Sequence, residues 1–325
     1  MIISRSPFRI TLAGGGTDLP TFYQKYGGAV TSMALDKYIY ICFKKNLLDS
    51  QVRVQYLKTE VVENANELSH ERARAVLQEF NILEGCEIAS VADLPAKSGL
   101  GSSGSYLVGL INCLQTYKKK NLNKHEIASV ACRIEMEDLC EPVGKQDQFI
   151  ASYGGIKTFI ISSSGAVEVS EPNFSGNDMK SFTDRCRIYY TGVQRGASEI
   201  LKSQTKDKKN FDDKMLKIRD LGFRFVEALE KKDFDTYGLL LDDHWAYKKQ
   251  LSPQMSHSKV DNIYNYLKEE NLILGGKIIG AGGGGFLMVY VPSNFRKVDQ
   301  FMRNNEMTRL DYAVDREGVT TIYGE

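Results

Sequence analysis

The stretch PAKSGLGSSGS (95–105) places Gly99, Gly101 and Gly104 in a Gly-x-Gly-x-x-Gly spacing between two segments of different period. Before it, EIASVADLP (87–95) is β-branched and apolar and stops at Pro95; after it, YLVGLINCL (106–114) is apolar on nearly every side and reads as a buried helix. A strand, a glycine loop and a helix in that order make an anion site. The glycines let successive backbone N–H groups approach a phosphate, the helix beginning near Ser102 adds its positive end, and Lys97 adds a cation. The hydroxyls of Ser102, Ser103 and Ser105 are oxygen donors of the kind that ligate a divalent metal. The spacing also fits a dinucleotide fingerprint, but that motif wants an acidic residue ~20 positions on, where this chain has Lys118-Lys119-Lys120-Asn121. It also wants its glycines directly at the strand end, and here four residues intervene. The phosphate loop G-x-x-x-x-G-K-[ST] and the protein-kinase signatures H-R-D and D-F-G are absent. The loop therefore reads as a polyphosphate cradle, set against the alternative of a flexible turn with solvated serines.

Glycine is concentrated in two further places. Of 28 glycines, 13 lie in 9–18, 95–105 and 275–286, a tenth of the 325 residues. The rest of the composition is that of a globular protein, with 42 Lys+Arg against 41 Asp+Glu and a formal net charge of +1. Such a balance excludes a broad electrostatic commitment to nucleic acid or to an anionic membrane and leaves small ligands open. No run of ~18 apolar residues occurs, and MIISRSPFRI lacks a signal-like apolar core, so a cytoplasmic protein is expected. The six cysteines form no C-x-x-C pair and the four histidines no H-x-x-x-H spacing, which predicts reduced thiols and no histidine metal site.

In SPFRITLAGGG, Phe8, Ile10 and Leu12 alternate with Arg9 and Thr11, so a strand is expected with Arg9 pointing away from the packed side. Further strands are expected at 37–45, 51–57, 155–162, 187–192, 286–291 and 319–323, and helices at 66–80, 123–140, 210–231, 234–250 and 256–270. Asn123 with Glu126 three residues later predicts the capping box that opens the second of these helices. The polar segment 162–178 marks a boundary between two α+β domains with mostly antiparallel sheets, 1–170 and 171–325.

PAKSGLGSSGS resembles the P-x-x-x-G-L-G-S-S phosphate loop of the galactokinase, homoserine kinase, mevalonate kinase and phosphomevalonate kinase (GHMP) superfamily. SPFRITLAGGGTDLP (6–20) is similar to its first motif, and GGKIIGAGGGGFLMVYV (275–291) to its third, so the resemblance spans nearly the whole chain. It implies an N-terminal domain like the second domain of ribosomal protein S5, a ferredoxin-like C-terminal domain, and ATP with Mg²⁺ as the phosphate-donor system. It further implies ATP phosphate contacts from Lys97, Ser98, Gly99, Leu100, Gly101, Ser102, Ser103, Gly104 and Ser105, and a metal held by Ser103 and Glu135, with Glu137 as the alternative acid. VGKQDQFIASYGG (143–155) resembles the galactokinase G-x-x-D-Q-F stretch, which puts Asp147 at the general-base aspartate and Arg9 at the basic residue of the first motif. Gly282, Gly283 and Gly284 are assigned a supporting turn. Read without the resemblance, Asp147 is a helix N-cap.

The acceptor is read from the first motif. Galactokinases carry R-x-N-L-x-G-E-H-T-D, whereas this chain has R-I-T-L-A-G-G-G-T-D, so Gly15 and Gly16 replace two side chains while Thr17 and Asp18 remain. A roomier pocket with exposed backbone N–H groups is expected, and Asp18 can still accept hydrogen bonds from sugar hydroxyls. AGGGTDLP, LPAKSGLGSSGS, GKQDQFIASYGG and YTGVQRGASEIL together are similar to the bacterial D-glycero-D-manno-heptose 7-phosphate kinases. These phosphorylate an anomeric hydroxyl on the way to nucleotide-activated heptose. Such a sugar-phosphate substrate needs a cation for its phosphate, and Lys145 and Arg195 are the candidates, against solvated surface charges. The alternatives are another sugar 1-kinase acting on L-fucose or a different hexose, and a non-catalytic sugar- or ATP-binding relative. No nucleic-acid or membrane partner is expected, and a homodimer is compatible with the sequence.

Overall fold

The computed structural model describes residues 1–96, 98–193, 208–280 and 282–324, with the side chains of 208–210 left out. The first half is built on a sheet of β1 (Ile2–Ala13), β2 (Gly28–Lys45), β3 (Val52–Gln55), β4 (Thr59–Val62), β5 (Cys86–Ala92), β6 (Ile156–Ile161) and β7 (Val167–Ser170). Interleaved with these strands are α1 (Pro20–Tyr26), α2 (Glu71–Glu79), α3 (Ser102–Tyr117), α4 (Lys124–Arg133) and α5 (Gln146–Tyr153). The 18-residue β2 is long enough to pair with three neighbours: β1 along its length, β6 at its start and β5 at its end. Only the β3–β5 pair is parallel among the paired strands described.

The second half contains α6 (Gly176–Arg185), β8 (Cys186–Tyr190), α7 (Lys208–Glu230), α8 (Phe234–Lys249), α9 (Ser258–Glu269), β9 (Gly275–Ile278), β10 (Phe286–Tyr290), α10 (Phe295–Asn304) and β11 (Thr308–Arg309). Its sheet is antiparallel in the order β11-β8-β10-β9. The final strand β12 (Thr320–Tyr323) does not join it. Instead β12 pairs antiparallel with β1, Thr321 opposite Ser4, so the chain returns to the first sheet. Asp315 fixes the return, since it is buried and accepts from the Tyr38 hydroxyl at 2.9 Å, while its carbonyl accepts Gly155 N at 2.6 Å. The expected division at 170/171 thus falls in the turn after β7, but the expected second domain, 171–325, loses its last strand to the first. Local patterning cannot say which sheet a short apolar strand will join.

One core runs through both halves. Phe8, Ile10 and Leu12 of β1 pack in the same cluster as Leu107 and Leu110 of α3, Tyr237 and Leu241 of α8, and Phe286 of β10. β1 is therefore covered on both faces, and the expectation that Arg9 leaves the packed side needs amending: Arg9 is 6% exposed and Thr11 3%. The alternation holds, but its polar face meets α5 and the glycine loop instead of water.

The capping box at α4 forms, with Asn123 accepting Glu126 N at 3.0 Å and Glu126 accepting Asn123 N at 2.7 Å. The helix expected over 123–140 stops at Arg133 and passes into a π-helical turn, Ile134–Asp138. A π turn rotates the side chains that follow it relative to an α-helix. Here it leaves Glu135 fully buried and Glu137 exposed.

Candidate active site

Arg9 from β1 meets Asp147 from the first turn of α5. Its Nε donates to Oδ1 at 2.7 Å, its Nη2 to Oδ2 at 2.8 Å, and its Nη1 to the carbonyl of Gly99 at 2.6 Å. A two-pronged guanidinium–carboxylate contact fixes the plane of the acid as well as its position. The Asp147 side chain keeps 22% exposure, so a ligand hydroxyl can reach it. The glycine loop closes around the pair. Gly101 caps α3 in the left-handed region at φ 79°, and a Cβ there would stand 3.0 Å from Arg9 Cγ and 3.1 Å from Asp147 Oδ2. Gly104 lies against the Asp147 backbone and Cβ. No side chain caps α3, a 16-residue helix, so its first N–H groups are left for a ligand such as a phosphate oxygen.

Within the loop the residues divide. Ser102 and Ser103 are half-buried at the helix start. Ser98 and Leu100 are buried, and the Leu100 carbonyl accepts Arg9 N at 3.0 Å. The Ser98 hydroxyl is buried and unpartnered. The Ser105 hydroxyl turns inward to the Pro7 carbonyl at 2.7 Å, so its expected part in phosphate or metal contact is corrected to a strand–helix tie. Lys97 lies outside the described residues.

Glu135 is buried and paired on both carboxylate oxygens. Its Oε1 accepts Arg72 Nη2 at 2.9 Å and its Oε2 accepts Gln148 Nε2 at 2.6 Å. Arg72 also reaches Glu141 at 3.1 Å. Arg72, from α2, was invisible to sequence reading because 63 residues separate it from its acid. Exposed Glu137 is not placed beside it. Among the described residues no three His, Cys, Asp or Glu side chains converge on a metal position. A hydroxyl at Ser103 and a carboxylate oxygen at Glu135 are the donor types Mg²⁺ takes, and the ion would share Glu135 with Arg72.

The motif TLAGGGTD forms the second wall. Asp18 is 1% exposed and accepts Gly16 N at 3.0 Å and Gln146 N at 3.1 Å. Its carboxylate is so close to Gly144 that a Cβ there would lie 2.0 Å from Oδ2. Burial pushes the Asp18 carboxyl above its ordinary range, opposed by the two amides and reinforced by nearby Asp147. Gln146, which sequence reading passed over, links the walls: its Oε1 accepts Thr11 Oγ1 at 2.7 Å and Ser32 Oγ at 3.1 Å. Thr17 is fully buried and its hydroxyl is taken up by the Gly14 and Ala29 carbonyls at 2.8 and 3.0 Å and by Ala29 N, which corrects its expected contact with substrate. The amide of Gly16 is used by Asp18, so that N–H is not exposed as expected. Gly15 packs on Thr11, and the space over Gly16 is faced by Lys248 of α8 and Met215 of α7.

Lys145 donates to the Gly165 carbonyl at 2.5 Å and stands 5.3 Å from the centre of the Tyr23 ring. The structure thus joins it to the β6–β7 turn and not to Arg9 or Asp147. Arg195 lies outside the described residues. Gly282 and Gly284 pack on Met255 and Val193, and Gly283 N donates to the Met255 carbonyl at 2.8 Å. Gly280 and Gly285 of that run lie against the glycine loop, where their Cβ positions would be 2.6 Å from Gly99 O and 2.4 Å from Ser98 O.

Residues 58–155 match the family model described as GHMP kinases N terminal domain, the segment that holds the glycine loop, Glu135 and Asp147. A D-glycero-alpha-D-manno-heptose 7-phosphate kinase of Campylobacter jejuni is 28% identical over 98% of this chain and 98% of its own. The crystal structure of a D-glycero-D-manno-heptose 1-phosphate kinase from Bacteroides thetaiotaomicron superposes with a TM-score of 0.82 over 100% of both chains at 20% identity. That of Lactococcus lactis galactokinase complexed with galactose does so with a TM-score of 0.75 at 17% identity, over 98% of this chain and 94% of that one. The fold is the GHMP kinase fold. Among the described residues no helix is long and apolar enough to cross a membrane.

Proposed function

We propose that this chain, an ATP-dependent sugar kinase of GHMP fold, phosphorylates the anomeric (C1) hydroxyl of D-glycero-D-manno-heptose 7-phosphate to give the 1,7-bisphosphate. The observation that carries the reading is Arg9 bound at once to Asp147 and to the Gly99 carbonyl of the phosphate cradle, which sets a proton acceptor beside a donor site. The name of the Campylobacter relative supports the acceptor.

In this reading the triphosphate lies on the N–H groups of Gly101 to Gly104 at the start of α3. The acceptor hydroxyl gives its proton to Asp147 as its oxygen bonds to the γ-phosphorus, and the bond from that phosphorus to the β–γ bridging oxygen breaks, releasing ADP. Arg9 holds the Asp147 carboxylate in plane and balances its charge, so little reorganisation accompanies proton transfer. Mg²⁺ at Ser103 and Glu135 would supply charge neutralisation on the phosphates. Asp18 and the Gly15–Gly16 backbone border the sugar. Residues 1–170 with β12 would form the nucleotide domain and 171–311 the second. A cytoplasmic enzyme of nucleotide-activated heptose synthesis follows from the same substrate.

The test is ADP release with ATP·Mg²⁺ against heptose 7-phosphate, galactose, L-fucose and mevalonate, with phosphorus NMR of the product to locate the new phosphate. Turnover of the heptose phosphate at C1 is the expected result. Turnover of a free hexose with the heptose phosphate inert would replace the acceptor while keeping the kinase.

A further inference from the structure

Lys248 stands over Gly16, and two further buried basic side chains of the second half of the chain, His244 and Lys277, lie near it. Lys248, near the end of α8, is 8% exposed, and its Nζ lies 3.1 Å from where a Gly16 Cβ would be. Among the described residues its ammonium makes no hydrogen bond or ion pair. Lys277 of β9 is 3% exposed and its Nζ donates to the Leu12 carbonyl at 3.1 Å. His244, one turn before Lys248, is 1% exposed, and neither ring nitrogen has a partner among the described residues. Burial first, and then Lys248 and Arg9, disfavour the charged form of Lys277, burial and the two lysines do so for His244, and Asp18 offsets the burial of Lys248.

Buried cations without a matching acid are expensive, and a folded protein keeps them where a ligand completes the pairing. Among the described residues the acid that acts on Lys248 is Asp18, which already accepts from two backbone amides, and Asp147 on the same wall is held by Arg9. What is missing is a negative group, entering over Gly16, on the acceptor side of the site. We propose that Lys248 is the residue that receives the phosphate ester carried by the acceptor, with the side-chain-free Gly16 leaving room for it. This rests on the reading of the chain as a sugar-phosphate kinase, and moves the expected phosphate contact from Lys145 to α8.

Two arms test it. Inorganic phosphate is titrated calorimetrically into the wild type, Lys248→Met and Lys248→Arg, each saturated with a non-hydrolysable ATP analogue and Mg²⁺ so that the glycine loop is occupied. One saturable site is expected in the wild type and the arginine variant, weakened roughly 10- to 100-fold in the methionine variant. In the second arm, KM for heptose 7-phosphate rises by a similar factor in Lys248→Met, while KM for ATP does not move. Absence of a saturable phosphate site in the wild type, or equal binding by wild type and Lys248→Met, overturns the proposal. If heptose 7-phosphate is turned over and Lys248→Met leaves its KM unchanged, the proposal fails and the kinase reading stands. If phosphate binding depends on Lys248 but no sugar phosphate is turned over, the anion site stands and the acceptor reading fails.

Discussion

Arg9 and Asp147 face each other through two parallel hydrogen bonds, Nε to Oδ1 at 2.7 Å and Nη2 to Oδ2 at 2.8 Å, with the third guanidinium nitrogen on the carbonyl of Gly99. One side chain thereby sets the distance between the Asp147 carboxylate, the proposed proton acceptor, and the loop that would hold the donor. Because this spacing is rigid, each partner can be tested by itself.

Asp147→Asn keeps the shape of the side chain and much of the contact with Arg9 but would remove the proposed proton acceptor. Turnover is expected to fall roughly 10²- to 10⁴-fold with nucleotide affinity little changed. Steady-state kinetics paired with a nucleotide titration measures both, and a near-normal kcat would take Asp147 out of the mechanism.

Gly101→Ala puts a Cβ 3.0 Å from Arg9 and 3.1 Å from Asp147 at a φ of 79°. The backbone strain costs about 1–2 kcal/mol, and the crowding displaces the pair it touches. A fall in kcat larger than the loss of thermal stability explains is the expected signature, read from kinetics and melting curves on the same preparation.

Glu135 has a side-chain exposure of 1% and leans on Arg72. Truncating Arg72 to Met strands a buried carboxylate, at about 3–5 kcal/mol of stability. Glu135→Gln relieves that charge but would remove a ligand from the proposed Mg²⁺ position, so the Mg²⁺ concentration for half-maximal activity is expected to rise at least about tenfold. An unchanged Mg²⁺ dependence would leave Glu135 with a purely structural part, as the partner of Arg72 and Gln148.

Burial pushes Lys248 down from 10.5 to about 8, with Asp18 acting in the opposite sense. Between these values the unfolded chain binds more protons than the folded one, so this group makes stability rise with pH across the window from about 8 to 10.5. Below about 8 the penalty of the buried charge is fully present. Lys248→Met should therefore stabilise the free protein at pH 7, by at most on the order of 3 kcal/mol, and the gain should shrink as the pH is raised. Denaturant melts of both proteins at pH 7 and pH 9.5 give the comparison; a variant less stable at pH 7 would contradict it.

The parts of the site that are contiguous in the chain could be read from the sequence. The glycine loop between a strand and a helix, the alternation that puts Arg9 and Thr11 on one face, and the Asn123–Glu126 cap are local, because the spacing of a few residues fixes their geometry. The signal for Lys248 was also present, since Tyr237, Leu241, His244, Trp245 and Lys248 fall on one helical face. It was hidden in a run rich in charge, where a lysine on the apolar side looks like one more solvated lysine.

The sequence by itself determined that a glycine loop joins a strand to a buried helix, that Arg9 and Thr11 share one face of a strand, and that positions 15 and 16 beside Asp18 carry no side chain. These are statements about backbone freedom and residue type at fixed spacing. Only the tertiary structure decided what fills the space. It turned Glu135 inward through a π turn to meet Arg72, used up Thr17 and Ser105 in internal hydrogen bonds, returned β12 to the first sheet, and stood Lys248 over Gly16. Apart from the local Thr17–Gly14 bond, these depend on contacts between residues from 12 to hundreds of positions apart. Such contacts are chosen by burial and by the pairing of buried polar groups across the whole fold, not by any local preference of the chain.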